Sequence, residues 1–474
     1  GDPWEKGLRG GTAATYSHVA VFHTVHYGLG VTLGTPAFIA ETDNGLVRNV
    51  NWHHPPGYWL YLALWAWPLG NTPPVLRISH LSLFLPGLLA LFLFVRRRSG
   101  ELAAGATSLL FATCPLVAYF GPMVIQDGAV LASGLVTMWC FERHLDAPSR
   151  QHWLATALAF FVTCSLDFTG YWWGPAMFVL AIARENRWRA IHTVLSLFPV
   201  SVLAFVVLTI HYGFVFDGPL AFLRELFGTL HSEQQTAVGS PMADRFAAAM
   251  DELWFGYHNQ VLLGLAGLGV FVAPLAGGAA VRRLAVVGVA LLVPGLLNYG
   301  LMLHHAVAHA FWSVHGFAGL AALAALVPTS ASALIRAGAW RRVVGWLCVL
   351  ATAGTAAFGA VHTHTVITLT AFEPTNDTPA LITKALPLLA GCNTTMTNAP
   401  ATTQTQFGNT SVFFEIDTAD KVRTILAFAS ANKLRGKVGF VVHPARRDGE
   451  LLALLDTLGT RQEVDGALVY RFQL

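Results

Sequence analysis

The sequence predicts an all-α polytopic membrane protein that carries one small soluble α/β domain at its C-terminal end. Three observations carry that prediction. Only 12% of the 474 residues are charged, 54% are hydrophobic, and the mean hydropathy is +0.53. Soluble domains devote about a quarter of their residues to charge, so most of this chain must face lipid. Second, the charges are uneven: residues 372–474 hold ten acids and ten bases, leaving about 35 charges for the preceding 371 residues. Third, apolar stretches long enough to cross about 30 Å of hydrocarbon recur along the first part. The same composition excludes a disordered chain, which would be charge-rich and poor in aromatics. A net charge of +3, scattered along the chain, gives no footprint for nucleic acid. Cys114, Cys140, Cys164 and Cys348 lie in apolar runs and Cys392 stands alone, so neither a disulfide framework nor a zinc ribbon follows.

Residues 1–371 therefore read as the membrane domain, with 1–74 as an outer first loop, and 372–474 as the soluble domain. Tyr58–Leu69 is apolar, follows Pro55-Pro56 and is too short to cross, which suits a helix lying at the membrane interface. The spanning candidates are Val75–Val95, Leu102–Pro122, Val130–Phe141, His192–His211, Val261–Leu275, Leu284–Leu303, Phe311–Val327 and Val343–Ile367. Trp153–Cys164 and Tyr171–Ala183 are shorter and suit tilted or half-depth helices, for about ten crossings in all.

Arginines set the orientation, because cytoplasmic loops retain Lys and Arg. Placing Arg96, Arg97 and Arg98 inside and alternating thereafter also puts Arg143, Arg150, Arg184, Arg187, Arg189, Arg282, Arg283, Arg336, Arg341 and Arg342 inside. The opposite-side connections near Asp127, Asp167 and His304–His309 carry no Lys or Arg, and the long outer loop Tyr212–Gln260 carries only Arg224 and Arg245. The first loop and the C-terminal domain then lie outside the cytoplasm, in a bacterial cell (inner) membrane. Gly1 starts outside with neither an initiator Met nor a signal peptide, so a first helix upstream is expected.

In the tail, helices are expected at Thr378–Leu389, Ala419–Ala431 and Asp448–Leu458. Strands are expected at Asn393–Asn398, Ser411–Ile416, Lys437–His443 and Ala467–Phe472. No motif there carries a mechanism, and the domain reads as a structural or docking cap.

The unusual polar residues gather on the outer side. Asn51-Trp52-His53-His54-Pro55-Pro56-Gly57-Tyr58-Trp59 places two imidazoles before a rigid Pro-Pro stop at the water–lipid boundary. An ordinary interfacial loop would look the same. Asp127 lies between two hydrophobic helices with no adjacent base, where a carboxylate is costly and a functional role is the default. It also suits a cap on the helix Gly128–Cys140. Asp167 reads equally as a functional carboxylate or as a turn residue between half-helices. His305 and His309 stand four apart, on one face of a helical turn. That spacing is compatible with a divalent metal ion, though without the glutamate of H-E-x-x-H. His231 and His258 add imidazoles in the large outer loop.

The order of these features resembles the membrane glycosyltransferases of the GT-C class. An outer loop ends in a Pro-containing Tyr-Trp segment; Asn71–Arg77 and a helix ending in arginines follow, and the next helix leads to an outer-face Asp. The nearest group is similar to family 39: protein O-mannosyltransferases, lipid A aminoarabinose transferases and bacterial dolichyl-phosphate-mannose-type enzymes. The likeness runs from about Tyr16 to Ala325 and is strongest over His53–Arg98 and Cys114–Asp127. It implies transfer of a sugar (hexosyl or pentosyl) from a polyprenyl-phosphate donor to a glycan, lipid or protein acceptor on the outer face of the bilayer. Asp127 matches the second of the two carboxylates that frame such sites. The first departs from the pattern, because the family's acidic pair falls on Thr12 and Ala13, leaving Asp2 or Glu5 as substitutes. His53 and His54 fall where relatives place an acidic metal ligand and a lysine that contacts the lipid phosphate. A protonated His suits a direct phosphate contact and a neutral one suits a metal. A different class, a histidine-rich haem or copper membrane protein, would draw axial histidines from the hydrocarbon interior, whereas these sit at helix ends. A non-catalytic GT-C relative stays open as well, given the missing first-loop acid.

Overall fold

The computed structural model describes residues 17–42, 45–50, 54–216, 218–237, 247, 260–301, 312, 314–335, 339–371, 384–392, 394–398, 411–413, 416, 418–431, 436–443 and 448–473. The chain divides into two compact units. One comprises Gly1–Trp52, Trp59–Leu76 and Thr370–Leu474; the other comprises His53–Tyr58 and Arg77–Leu369.

The second unit is helical, and nearly every apolar stretch of the sequence becomes a helix at its expected place. Among the described residues, five helical segments are long and apolar enough to cross a membrane: Pro74–Ser99, Arg187–Gly213, Ala279–Leu301, Val314–Leu334 and Ala339–Thr363. Glu101–Ala112 and Gln260–Ala276 are apolar but shorter. Gln126–Asp146, Arg150–Leu166 and Trp173–Ile182 pack among them. The stretch Leu102–Pro122, expected as one crossing, is broken. Pro115 has no N–H to continue the Glu101–Ala112 ladder and starts a new helix, Pro115–Phe120, behind the extended Cys114.

Arg96, Arg97 and Arg98 occupy the last turn of Pro73–Ser99, where cations meet the negative end of the helix dipole. Arg97 pairs with Asp146, and Arg98 and Arg184 reach Glu142 at 3.4 and 3.1 Å. This network ties the arginine end of that helix to the ends of Gln126–Asp146 and Trp173–Ile182. Small residues bring Ala279–Leu301 against Val314–Ala324: a Cβ on Gly295 would lie 2.4 Å from the Gly316 Cα. Such close backbone approach is how helices associate where no water drives them together. It also fixes the position of His315, one residue before Gly316.

In the first unit, residues 17–27 are helical, and β1 (Ala37–Thr42) pairs antiparallel with β2 (Gly45–Val50). A five-stranded mixed sheet follows, built from β3 (Thr394–Thr397), β4 (Ser411–Phe413), β5 (Lys437–Val442), β6 (Thr460–Val464) and β7 (Ala467–Gln473) in the order β4-β3-β5-β7-β6. Helices Ala419–Ala431 and Gly449–Leu458 bury Val422, Leu451 and Leu455 in one core with Met396, Val438, Phe440, Leu468 and Tyr470. β6 adds a strand beyond those expected. It turns into β7 through Asp465-Gly466, both at positive φ (48° and 81°), the backbone of a two-residue hairpin. β1 lies alongside β3 and β4, so the early hairpin and the late sheet share this unit.

Candidate active site

Residues from five separate stretches of the second unit converge on one buried polar cluster. The first is the loop entering Gly57–Leu69. Pro55 and Pro56 fix the backbone as it turns into the helix, and His54 precedes them at a bend. Gly57 lets this loop close on the helix Arg150–Leu166, because a Cβ there would sit 2.3 Å from the Ser165 carbonyl oxygen. That approach brings His54 to Asp167, and His54 Nδ1 donates to Asp167 Oδ2 at 2.6 Å.

Asp167 serves two structural ends at once. It caps the 3-10 turn Phe168–Trp172, its Oδ1 accepting from the Thr169 N–H at 2.9 Å and the Thr169 hydroxyl at 3.0 Å. Its other oxygen holds His54. The two readings left open from the sequence, turn residue and functional carboxylate, therefore coincide in geometry. The Tyr212 hydroxyl, at the end of Phe198–Gly213, donates to the His54 carbonyl oxygen at 2.6 Å and pins the backbone.

The electrostatics follow from this pairing. Burial alone lowers the His54 pKa, but the charge and hydrogen bond of Asp167, with Asp127 adding to them, outweigh it and hold the ring above its ordinary 6.5. Burial raises the Asp167 pKa, yet His54 and the two Thr169 donors outweigh that and hold it below the ordinary carboxylate value. The pair is poised as imidazolium and carboxylate.

Asp127 sits in the first turn of Gln126–Asp146 and is 2% exposed. It is not the cap of that helix: Ile125 holds the cap position without a side-chain bond, and Asp127 Oδ1 instead lies 3.4 Å from His315 Nε2. Asp127 Oδ2 and His315 Nδ1 are buried with no partner among the described residues. The neighbouring Gln126 amide reaches His54 Nε2 at 3.3 Å and so joins the two His–Asp pairs. An amide presents either oxygen or NH2, so it matches a protonated or a neutral ring.

A third histidine braces the turn that presents Asp127. His80 Nε2 donates to the Gly121 carbonyl at 2.7 Å, and the Tyr58 hydroxyl donates to His80 Nδ1 at 2.8 Å. This chain links the helix after the Pro-Pro stop to the Gly121–Asp127 turn. The sequence alone gave no reason to single out His80 or His315. A lone histidine in an apolar run shows its partner only when distant segments meet.

Of the residues singled out in the sequence, His54, Asp127 and Asp167 are brought together. His53, His258, His305 and His309 lie outside the described residues, as do Asp2, Glu5, Thr12 and Ala13; the side chain of His231 does too. Among the described residues no three His, Cys, Asp or Glu gather to hold a metal ion. Asp167 has both oxygens engaged, and Asp127 offers one free oxygen.

Comparison with known proteins then places the arrangement. The profile of the family described as dolichyl-phosphate-mannose-protein mannosyltransferase matches residues 53–212. That segment opens on the histidine pair and closes on Tyr212, so it encloses His54, Gln126, Asp127 and Asp167. ArnT from Cupriavidus metallidurans has a similar structure in its apo state, at TM-score 0.59 and 13% identity over 97% of this chain and 93% of that one. The crystal structure of the same protein bound to undecaprenyl phosphate gives TM-score 0.58 with the same identity and coverage. The chain has the GT-C fold. The Archaeoglobus fulgidus oligosaccharyltransferase, in complex with zinc and sulfate, matches at TM-score 0.54 and 12% identity, over 94% of this chain and 67% of that one. At these identities the likeness is one of fold. A search of the curated proteins by sequence returns no match.

Proposed function

We propose that this GT-C chain transfers a sugar from a polyprenyl-phosphate donor to an acceptor on the outer face of the membrane. The observation that carries the reading is the buried cluster itself. Two His–Asp pairs, His54–Asp167 and His315–Asp127, meet through Gln126 at helix ends. In one pair Asp167 favours the charged form of His54, and the other keeps a carboxylate oxygen unengaged. Transfer from a phosphate leaving group needs both: a positive partner for the departing oxygens and a base for the acceptor.

The step is an inverting displacement. The acceptor oxygen or nitrogen attacks the anomeric carbon, and the carbon–oxygen bond to phosphate breaks with its electron pair going to the phosphate. The acceptor proton passes to Asp127 Oδ2. The His54 imidazolium stabilises the phosphate through Nε2, the ring edge opposite Asp167, where the Gln126 amide lies beside it. His53, adjacent in sequence, is the second imidazole proposed for the phosphate side.

A lipid carrier is supported by a cavity of about 540 Å³ lined by Phe160, Tyr171, Phe178, Leu195 and Phe198 among others. Tyr171 lies on the same short turn that Asp167 caps, so charged site and apolar space are neighbours. The bound undecaprenyl phosphate of ArnT supports the same chemistry for a protein of this fold.

The test replaces Asp127 by Asn in membranes supplied with radiolabelled polyprenyl-phosphate sugar and an acceptor extract. Loss of a general base costs about 10²- to 10⁴-fold in rate. Transfer at the parental rate with Asp127→Asn would overturn the assignment.

A further inference from the structure

We propose that Asp167 is a positioning residue for the donor phosphate, holding the His54 ring by Nδ1 so that the opposite edge, Nε2, beside the Gln126 amide at 3.3 Å, is the one turned to the phosphate. This rests on the donor reading of His54 given above and adds to it a residue that acts through the imidazole.

The geometry restrains every freedom of the pair. The Asp167 carboxylate cannot turn away, because Oδ1 is fixed by both donors of Thr169 and the side chain is 6% exposed. The His54 ring cannot flip without giving up the 2.6 Å bond at Nδ1. Its backbone is pinned by Tyr212, and the loop is seated by the Gly57–Ser165 approach. The cation itself explains why a partner is needed. A lysine carries three equivalent N–H donors on a rotating ammonium and meets an anion from any side. An imidazolium has two N–H groups on opposite edges of a flat ring, so one edge must be held for the other to be aimed. An orienting carboxylate of this kind acts in the same sense as those that fix the ring of a metal-bound or catalytic histidine.

A double-mutant cycle on donor binding tests this, with undecaprenyl phosphate as the probe and the full-length purified protein. Asp167→Asn is expected to weaken binding about 10- to 100-fold, the worth of one charge-assisted hydrogen bond. His54→Ala is expected to weaken it comparably, and Asp167→Asn added to His54→Ala should do nothing further. In a His54→Lys background, whose ammonium needs no aiming, Asp167→Asn should leave affinity unchanged or tighter. A merely structural role predicts the opposite, a loss of binding from Asp167→Asn whatever stands at position 54. That loss, or parental affinity in Asp167→Asn alone, overturns the proposal. Parental affinity in His54→Ala overturns instead the donor reading on which it rests. If Asp167→Asn fails to fold, the His54→Lys/Asp167→Asn protein carries the decision: binding lost there overturns the proposal, binding kept supports it.

Discussion

His54 has two neighbours of opposite effect, and the balance between them has a measurable sign. Burial favours the neutral ring and Asp167 favours the charged one, and the second prevails. A histidine whose pKa is raised keeps its charge up to that higher value. Donor binding through the imidazolium should therefore be complete below pH 6.5 and fall only as pH passes above it. Undecaprenyl phosphate titrations across neutral and alkaline pH check this, and Asp167→Asn should move the midpoint downward, since only the charge of Asp127 then opposes burial. His315 has a different consequence. Removing it leaves Asp127 Oδ1 buried without its hydrogen-bond partner, which costs about 1–3 kcal/mol. His315→Ala should lower the thermal midpoint well beyond surface controls, and unchanged melting would show that the 3.4 Å contact holds nothing. Much of this site was legible in the residues: His54 beside a Pro-Pro stop and Asp127 at a helix end are anomalies that sequence displays. The roles of His80 and His315 were not, because each is defined by a contact with a residue tens to hundreds of positions away.

Elements place these residues, and close backbone approaches set the elements. Gly57→Ala introduces a methyl at 2.3 Å from the Ser165 carbonyl, so the loop must retreat and take His54 off Asp167. Donor binding should fall about as far as in Asp167→Asn, roughly 10- to 100-fold, with the far-ultraviolet helix signal unchanged. Normal binding by Gly57→Ala would mean the loop has slack that the geometry does not show. Helix positions could be read from apolar length because lipid demands long uninterrupted runs. Breaks were harder. Cys114-Pro115 carried the signal for the interruption in Leu102–Pro122, but a proline near a helix start and one inside a crossing look alike in a hydropathy profile. The two pairings beyond the expected strands, β1–β2 and β6–β7, carry short turn signals in the sequence, Asp43-Asn44 and Asp465-Gly466, which are weak beside apolar runs of helix length.

Across the whole molecule, the arginine asymmetry makes a prediction that no single residue carries. Glu463, exposed on β6, and Arg150, exposed at the start of Arg150–Leu166, should lie on opposite sides of the membrane. With the native cysteines replaced, a Glu463→Cys protein should react with a membrane-impermeant maleimide in intact cells. An Arg150→Cys protein should react only after permeabilisation. Reaction of both in intact cells would break the topology.

The sharing of one unit by β1 and the late strands bears on how the protein is made. A ribosome delivers the β1–β2 hairpin before the membrane helices and β3, β4, β5, β6 and β7 after them. Until the tail emerges, the β1–β2 hairpin waits without the strands beside which β1 finally lies. Contacts of such long sequence separation form late and slowly. Completion of this unit is thus a built-in report that every helix between has already been synthesised.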